Sequence, residues 1–392
     1  MRDVVICGVG MTRFAKQLER TLGDLVSEAV DAALADAGVG ALEVDEVYFS
    51  SAITASVTGQ EMVAGQVALR PSALRGLPII NVENACASAS TALHLGFRAV
   101  ASGMVDTVLC VGAEKMTHAD KQRSLIALGR AADVAEIFGE AGPQPGGRSW
   151  FMDNYAAEAL RYMERSDATP HDFAVVAAKN HANGALNPRA QYGGTMTAEE
   201  VLAQREIVYP LTLSMCSPVS DGAAAVVLRA AERAGDGPRV RIAASVVRSG
   251  SVEADADSGS KRAALAAYEQ AGLGPDDLDL VELHDATAPA EVELYETLGF
   301  APDGDGAALI REGRTARDGA LPVNVSGGLL AKGHPVGATG LAQAVEATLH
   351  LRGHAGDRQV DGARVALTHN AGGWIGHDNA AAAVHILRRE DA

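Results

Sequence analysis

The sequence predicts an α/β fold built from two similar halves, and three observations lead to this prediction. Residues 29–51 (AVDAALADAGVGALEVDEVYFSS) match residues 263–285 (AALAAYEQAGLGPDDLDLVELHD) at a constant offset of 234 positions. Strand-like apolar runs alternate with helix-like segments in both copies, which is typical of a largely parallel sheet covered on both faces, one sheet per copy. The chain of 392 residues also exceeds the ~100–150 residues that one hydrophobic core usually serves.

Both copies follow one order of elements. An early strand is followed by a helix that stops at a glycine, a turn and a buried strand; a Gly/Ala-rich helix then leads to a further apolar strand. In the first half the strand-like runs lie at 4–9, at the end of the repeat 29–51, at 77–82 and at 107–112, with a return to a buried strand at 214–228; in the second half they lie at 240–247, 280–283 and 364–373.

The boundary between the halves is predicted at the Gly-Asp-Gly-Pro turn of residues 235–238, because such dipeptides mark turns. The first half then covers residues 1–235 and the second covers 236–392. Residues 115–210 have no counterpart in the second copy and contain many polar residues, glycines and prolines. We expect a loop-and-helix insertion there, and a long insertion in a compact domain is usually functional.

Composition and charge exclude several classes of protein. Apolar residues make up 47% and aromatic residues 4%, with 42 glycines, which indicates a globular protein with a core of small side chains. The formal net charge of −17 works against nucleic acid or an anionic membrane as a partner. No apolar run approaches the ~18 residues that span a bilayer, and the first residues resemble a strand, so we expect a cytoplasmic protein without a secretory signal.

Cys86 is the candidate nucleophile. It lies in the segment NACASAS, directly after an apolar strand and before a helix, and a helix N-terminus favours the reactive thiolate. The alternative is a small buried thiol of the core. Cys7, Cys110 and Cys216 lack this placement and are predicted to be core residues. The four cysteines form no C-x-x-C pair, so neither a disulfide framework nor a metal site is indicated.

His334 is the candidate partner of Cys86. It lies in the glycine-rich segment GGLLAKGHPVGATG of residues 327–340, whose five glycines let the backbone approach a ligand closely. In the second copy it precedes a Gly/Ala-rich helix just as Cys86 does in the first. This equivalence favours a Cys–His pair over a solvent-facing loop histidine.

Two more histidines are candidates because they follow buried strands. His284 ends the strand at 280–283, and His369 ends the strand at 365–368. Polar residues at the carboxyl ends of parallel strands are where ligands meet α/β sheets. For each, a packing role remains the alternative.

Together these motifs resemble those of the thiolase superfamily. The resemblance rests on NACAS around Cys86, GHPVGATG around His334, the duplicated halves and the C-terminal HNAGG. More narrowly, the chain resembles the sterol-carrier-protein type of thiolase and its bacterial and archaeal relatives through EKM at 114–116, KNH at 179–181, NP at 187–188, CSP at 216–218, SDGA at 220–223 and HD at 284–285. The resemblance covers essentially the whole chain.

The resemblance implies a five-layered αβαβα fold, coenzyme A thioester substrates without a tightly bound cofactor, and a homodimer or homotetramer. Cys86 would take the acyl group as a thioester, and His334 would activate the thiol and contribute to an oxyanion hole. His284 would hold a water or donate to a thioester oxygen. The backbone N–H of Cys86, with that of Gly372 or Gly373, would form a second oxyanion hole.

The chain departs from the family pattern at the second cysteine. Thiolases use this cysteine as acid/base in a C-x-G motif or, in the sterol-carrier type, in HDCF, whereas residues 369–371 here are HNA and residues 284–287 are HDAT. His369 or His284 would have to substitute from another position. The resemblance therefore implies an acyltransferase that passes the acyl group from Cys86 to a carbon, amine or hydroxyl acceptor. The alternative is an acetoacetyl-CoA or 3-ketoacyl-CoA thiolase.

Two further functions stay open. A retro-aldol carbon–carbon lyase of this subfamily is expected to dispense with Cys86, and a non-catalytic acyl-CoA scaffold would need neither Cys86 nor His334. Some bacterial relatives act with a small OB-fold, zinc-ribbon protein, so the resemblance also implies such a partner.

Coenzyme A phosphates need a local cluster of cations in so acidic a chain. Residues 115–130 contain four basic residues and one acidic residue, Asp120. The basic residues are Lys115, Lys121, Arg123 and Arg130, and Arg148 follows in sequence. We predict that this stretch, with Lys121 and Arg123 foremost, binds the nucleotide end. A solvated basic turn is the alternative.

Overall fold

The computed structural model describes residues 2–144, 149–235, 239–251, 253 and 256–390. The strands are β1 (Val4–Met11), β2 (Glu46–Ser50), β3 (Ile79–Val82), β4 (Thr107–Glu114), β5 (Glu206–Val208), β6 (Leu211–Thr212), β7 (Gly222–Ala230), β8 (Arg239–Ser249), β9 (Leu280–Glu282), β10 (Val365–Gly372) and β11 (Ala381–Glu390). The α-helices are α1 (Leu22–Ala37), α2 (Thr54–Thr58), α3 (Ala64–Leu69), α4 (Ser88–Ala101), α5 (Gln122–Gly129), α6 (Val134–Phe138), α7 (Trp150–Arg165), α8 (Pro170–Ala185), α9 (Ala198–Leu202), α10 (Gly259–Ala271), α11 (Ala288–Thr297), α12 (Gly306–Arg311), α13 (Gly328–Lys332) and α14 (Thr339–Arg352).

Within the described ranges, nine strands form one sheet in the order β3-β2-β4-β7-β1-β8-β11-β10-β9. The duplication is visible in this order, because β1, β2, β4 and β7 of the first half correspond to β8, β9, β10 and β11 of the second. A parallel bridge between Val281 and Val323 takes the place of β3 in the second half. The two predicted sheets are therefore the halves of one sheet, joined where β1 pairs with β8 over two residue pairs.

Parallel pairing is confined to part of each half. Strand β2 is parallel to β3 and β4, and β9 is parallel to β10. The other neighbours in the sheet are antiparallel, so the prediction of largely parallel sheets is wrong in this respect. In the second half the reason is the short connection between β10 and β11, which suits an antiparallel hairpin and leaves no length for a crossover helix.

The predicted five layers are confirmed by the helix packing. Helices α4 and α14 pack against each other, and each contacts strands of both halves. Helix α1 covers the outer face of β1 and β7, and α10 covers β8 and β11. The central layer is tight: a Cβ on Gly340 would lie 2.1 Å from Oγ of Ser90. Small residues in α4 and α14 are therefore what allows the central pair to form.

The segment 115–210 contributes α5 to α9 and the strand β5. It does not pack on the first half alone: α8 contacts α11, α12 and α13 of the second half, and Phe173 and Tyr162 share a buried cluster with Val281 and Tyr295. The predicted boundary lies partly outside the described residues, at 236–238, and the division at 235 stays a prediction. No helix in the described ranges is long and apolar enough to cross a membrane.

Strand β3 ends the sheet and has an unpaired edge, and exposed Met62, Val63 and Val67 lie beside it at α3. An open edge flanked by apolar side chains favours association. We predict at least a dimer, so light scattering at micromolar concentration should give about twice the 40.4 kDa of one chain or more. The double variant Met62→Asp with Val67→Asp should shift the protein toward monomer.

Leu42→Asp is the matched control for this prediction, because Leu42 is 96% exposed and lies in the turn before β2, outside the segment 62–67. It should leave the mass unchanged. A wild-type mass near that of one chain would contradict the predicted assembly.

Candidate active site

Cys86 lies in a sharp turn between β3 and α4. The turn is closed by the N–H of Ala87, which donates to the carbonyl of Asn84 at 3.0 Å, and by the N–H of Ser88, which donates to that of Ala85 at 3.1 Å. Ala85 has a φ of 48°, which is a strained conformation for a residue with a side chain. Ala85 directly precedes Cys86, so this conformation belongs to the turn that places Cys86 at the pocket.

The sulfur of Cys86 faces a pocket with about 660 Å³ of unfilled volume. Both halves contribute to it: His284, His334 and Gly373 come from the second half and Met116 from the first. The remaining lining residues are Leu128, Ala131, Ser149, Phe151, Met152, Tyr155, Ser217, Pro218, Val219, Ala286, Ala371, Gly372 and Asn379. The walls are mostly apolar, with a few convergent polar groups, as is typical of small-molecule sites.

The structure brings together three of the four predicted catalytic side chains. Sγ of Cys86 and one ring nitrogen each of His284 and His334 all lie within 4.8 Å of one another. The two imidazole rings are 5.1 Å apart and nearly perpendicular, at 80°. Such a set places a nucleophile, a proton acceptor and a second hydrogen-bonding group around one point.

The hydrogen bonds of His334 determine which of its nitrogens can accept a proton. Nδ1 lies 2.8 Å from Oγ1 of Thr339, and that hydroxyl donates its hydrogen to the carbonyl of Pro335 at 3.0 Å. Nδ1 must therefore donate, which leaves Nε2 as the acceptor. Burial, together with the neighbouring His284, lowers the pKa of His334 well below its ordinary value, so the ring is a neutral base.

The thiol of Cys86 is protonated at rest. Burial raises its pKa to about 12, and the nearby Glu114 carboxylate adds to this, while the backbone N–H groups of Cys86 and Gly373 act in the opposite direction. The sequence predicted that the helix N-terminus favours the thiolate; at this site burial acts in the opposite direction on the pKa and outweighs the hydrogen bonds from these N–H groups. A nucleophilic attack by this thiol would need a base, and a ring nitrogen of the neutral His334 lies within 4.8 Å of its sulfur.

His284 is held in the opposite tautomer to His334. Its Nδ1 lies 3.2 Å from Nδ2 of Asn370, a group that can only donate. The orientation of the Asn370 amide is set by Gln343, whose Oε1 accepts from the same Nδ2 at 3.3 Å and whose Nε2 donates to the carbonyl of His369 at 3.1 Å. Nδ1 of His284 therefore accepts, and its Nε2–H is the group left to donate.

Burial lowers the pKa of His284 to about 4, so it is a neutral donor suited to a thioester oxygen. In the sequence, Asn370 was recognised only as part of the HNAGG motif and was assigned no role. Gln343 was not recognised as a candidate. The position of Asn370 directly after a candidate histidine was the available signal.

The Asn370 contact leads to a prediction about the His284 tautomer. Asn370→Leu should slow acyl transfer by about 10- to 100-fold with little change in acyl-CoA affinity, because ligand-orienting partners typically have effects of this size. Asn370→Asp should accept from Nδ1–H, raise the pKa of His284 and make the rate depend on pH near neutrality. Rate–pH profiles of both variants give the measurement.

Thr348→Val on α14 is the control, because Thr348 is buried but outside this chain of hydrogen bonds. A wild-type rate–pH profile in Asn370→Asp would show that Asn370 has only a packing role.

His369 does not join the cluster. Its Nε2 lies 2.9 Å from Oγ of Ser260 at the start of α10, whereas Asn370, the next residue on β10, faces Gln343 on α14. Successive side chains of a strand point to opposite faces, so His369 faces the outer layer and lines a neighbouring cavity instead. His369 is therefore not part of the Cys86 cluster, and a catalytic role for it stays a prediction.

The two glycines of HNAGG have different roles. The N–H of Gly373 reaches the sulfur of Cys86, and Gly373 has a φ of +66°. Gly372 allows the backbone of β10 to approach the Cys86 turn closely, because a Cβ there would lie 2.3 Å from the carbonyl of Asn84 and 2.8 Å from the amide of Cys86. Of the two predicted backbone donors, the geometry favours Gly373 as the partner of the Cys86 N–H.

A buried carboxylate ties the His334 loop to the first half. Glu114 at the end of β4 accepts from the N–H groups of Ala52 and Gly337 at 2.8 Å each and of Thr54 at 2.7 Å. The bond from Gly337 joins residues that are 223 positions apart. Glu114 is therefore a structural support for the position of His334, which sequence reasoning noted only as part of a motif.

Comparison with known proteins agrees with this geometry. Residues 4–204 match the family model of the thiolase N-terminal domain, and residues 248–389 match the thiolase C-terminal domain-like model. The chain belongs to the thiolase family. An acetyl-CoA acetyltransferase of Methanothermobacter thermautotrophicus is 40% identical over 99% of this chain and 100% of the relative. Sterol carrier protein 2 of Bos taurus is 35% identical over 94% of this chain and 70% of the relative.

Among solved structures, the Ltp2-ChsH2(DUF35) aldolase matches this thiolase-family chain with a TM-score of 0.81 and 26% identity, covering all of this chain and 98% of the other. The resemblance drawn from the motifs is thus confirmed over the whole length.

A Cys–His–His set also has the donor types of a zinc site, and Cys86, His284 and His334 are the described residues close enough together to hold an ion.

The position of the missing second cysteine lies in the pocket. Ala286 is buried and lines the pocket of this thiolase-family protein. Cys216 lies nearby, since it bridges to Thr287, but its thiol donates to the carbonyl of Thr212 at 3.6 Å. Within the described part of the chain, Cys86 is therefore the one thiol that lines the pocket.

The predicted coenzyme A cations divide into two groups. Lys115 is buried and forms an ion pair with Asp221 at 2.6 Å, so it is unavailable to a phosphate; that part of the prediction is wrong. Lys121 and Arg123 are exposed at the start of α5, the helix whose Leu128 lines the pocket. Arg148 lies outside the described residues.

The double variant Lys121→Ala with Arg123→Ala should weaken acyl-CoA binding about tenfold, equivalent to about 1.4 kcal/mol, if these groups hold the phosphates. Titration of coenzyme A by calorimetry gives the measurement, and Arg314→Ala, exposed on the second half, is the matched control. Unchanged affinity in the double variant would identify the stretch as a solvated basic turn.

Proposed function

We propose that this protein is an acyltransferase that loads an acyl group from acyl-CoA onto Cys86 and passes it to a carbon, amine or hydroxyl acceptor. The supporting observation is Ala286. It lines the Cys86 pocket where sterol-carrier-type thiolases have the cysteine that acts as acid/base. The loading machinery is present, and the group that would deprotonate a second acetyl-CoA is absent.

Loading uses the neutral His334 and the neutral thiol. Nε2 of His334 takes the thiol proton as the sulfur attacks the thioester carbon, and the imidazolium returns that proton to the departing thiolate of coenzyme A. The Nε2–H of His284 stabilises charge on the substrate oxygen. Once the acyl group is on Cys86, the N–H groups of Cys86 and Gly373 stabilise its oxygen, and each such donor typically contributes ~2.7–4 kcal/mol.

Transfer of the acyl group from Cys86 to these acceptors differs from the thiolase reaction in how much the acceptor must be activated by a base. Condensation requires a base to remove a proton from an acetyl methyl group. His284 is a poor candidate because its pKa is lowered to about 4 and its Nδ1 is engaged with Asn370. An electron-rich carbon, an amine or an alcohol needs less activation, so these acceptors are favoured.

The second candidate is an acetoacetyl-CoA or 3-ketoacyl-CoA thiolase, which is favoured by the 40% identity to an acetyl-CoA acetyltransferase. A retro-aldol lyase is favoured only by the likeness to the Ltp2-ChsH2(DUF35) aldolase, and the Cys86–His334 pair argues against both it and a non-catalytic scaffold. That aldolase is a complex with a DUF35 chain. We propose that this protein also binds a small OB-fold, zinc-ribbon partner. We further propose that it is a homodimer or homotetramer and that it acts in the cytoplasm.

Intact-protein mass after incubation with acetyl-CoA tests the proposal. The protein should gain one acetyl group, Cys86→Ala should gain none, and a nucleophilic acceptor should discharge the loaded form. Condensation of acetyl-CoA at a rate comparable to loading would establish the thiolase alternative. Failure to load in the presence of acetyl-CoA would contradict both.

A further inference from the structure

A second cavity adjoins the Cys86 pocket. It contains about 670 Å³ of unfilled volume. Its wall shares Tyr155, His284, Ala371 and Asn379 with the pocket of Cys86. A molecule in this cavity would therefore approach an acyl group on Cys86 past His284, from a direction separate from the basic α5 region predicted to hold coenzyme A.

Two carboxyl groups in this cavity lack partners. Glu158 on α7 and Glu293 on α11 both line it, and in the described ranges neither makes a hydrogen bond or an ion pair. The third carboxyl, Asp378, is already engaged by the N–H groups of Gly259 at 2.6 Å and Asn379 at 2.7 Å. The carboxyls of this cavity that are available to a ligand are thus Glu158 and Glu293.

Imidazoles complete the set of titratable groups. His284, His369 and His377 line the cavity, and no lysine or arginine of the described residues does. His369 is fully buried, and its Nδ1 has no partner among the residues the structure describes. A buried nitrogen without a partner is costly, and a polar ligand in the cavity would supply one.

The energetics favour a cation as that ligand. Burial raises the pKa of both Glu158 and Glu293, and the charge of Glu158 raises that of Glu293 further. Arg161 lowers the pKa of both carboxyls and Arg165 lowers that of Glu293. The two arginines line an adjoining cavity together with these carboxyls but form no ion pair with either of them among the described residues, and Arg165 is bound to Glu296 at 2.8 Å. A bound cation would offset the cost of two poorly solvated carboxyls.

The rest of the wall suits an apolar body attached to that cation. Ala290 and Leu294 on α11 present aliphatic surface, and Tyr155 and Trp374 present aromatic rings. Aromatic faces attract an ammonium group in addition to packing against carbon.

We propose that this second cavity is the acceptor site and that it selects a primary amine on a short apolar body, which enters as the ammonium ion. This inference rests on the proposed acyltransferase function. A carboxylate of Glu158 or Glu293 takes one proton from the ammonium, and the free amine attacks the thioester carbon of acyl-Cys86. The C–N bond forms and the C–S bond breaks, the second amine proton passes to the sulfur, and an amide and the Cys86 thiol result.

The test uses protein that has been acetylated with acetyl-CoA and freed of excess coenzyme A. Discharge of acetyl-Cys86 is followed by intact mass with n-butylamine or 2-phenylethylamine, and with the matching alcohols. The amines should discharge the enzyme saturably and yield the N-acetyl amide. Glu158→Gln with Glu293→Gln should lower this efficiency at least about tenfold and leave loading unchanged. Exposed Glu312→Gln is the matched control.

Butyltrimethylammonium, a cation that cannot be acylated, should inhibit amine discharge competitively in the wild type but not in the double variant. Discharge that does not saturate, that is equally fast in the double variant, or that is faster with the alcohols would overturn the inference. If Cys86 fails to load, the proposed function fails instead. Calorimetric binding of butyltrimethylammonium to the unloaded protein then still tests the cavity, and equal binding by wild type and double variant would refute it.

Discussion

Cys86→Ala should abolish acyl loading from acetyl-CoA, and His334→Asn should slow loading by about 10³-fold or more. The reason is that the thiol is protonated at rest, with a pKa raised to about 12, and the lone pair of His334 Nε2 is the group placed to remove its proton. Intact-mass detection of the acetylated protein over time gives the rate. Circular dichroism and the Tm would show that each variant is folded.

The other cysteines provide the controls for this result. Cys7→Ala and Cys216→Ala should load at the wild-type rate. Iodoacetamide near neutral pH should modify Cys86 ahead of both and of Cys110, because His334 is placed to take the Cys86 proton during the attack. If one of these three thiols reacts as fast as Cys86 in the folded protein, the assignment of the nucleophile is wrong.

The pH dependence of loading follows from the same two groups. Because burial lowers the pKa of His334 well below its ordinary value, the ring stays neutral, and able to accept a proton, into the acid range. Because the thiol pKa is raised, no thiolate appears until strongly alkaline pH. The loading rate should therefore be nearly flat between about pH 6 and 9. A thiolate formed at a helix N-terminus would instead give a rate that rises through neutrality.

Ala286→Cys should raise acetoacetyl-CoA thiolysis by about 10²- to 10⁴-fold, the contribution of a well-placed acid/base. Ala286 already lines the pocket beside His284 and Cys86, so a thiol there would meet the reacting carbon without displacing the nucleophile. Adding Thr287→Phe would restore the sterol-carrier-type HDCF motif. Thiolysis is measured by loss of acetoacetyl-CoA absorbance, and Cys86 loading by intact mass.

Ala131→Cys is the matched control, because it also places a thiol in the pocket wall but away from position 286. It should raise thiolysis little, and loading of Cys86 should be unchanged in both variants. Rapid thiolysis of acetoacetyl-CoA by the wild type would contradict the acyltransferase proposal and establish the ordinary thiolase reaction.

The sequence could not place the side chains of Lys115 and His369, and the physical reason is the same for both. Lys115 belongs to a basic stretch, but it is paired with Asp221, 106 positions away. His369 and Asn370 are neighbours in sequence, yet one faces Ser260 in the outer layer and the other faces Gln343 in the central layer. Local composition describes neither contact, because ion pairs and hydrogen bonds depend on which elements the packing brings together.

By itself the sequence predicted the duplicated α/β architecture and identified Cys86 and His334 as the candidate catalytic pair, because internal repeats and motifs persist whatever the packing. Only the tertiary structure decided the protonation states of the site. Whether Cys86 rests as a thiol, and which nitrogen of His284 donates, depends on desolvation and on partners from distant segments such as Glu114 and Asn370. The same is true of the acidic second cavity, since Glu158 and Glu293 belong to helices 135 positions apart that meet only when the two halves fold together.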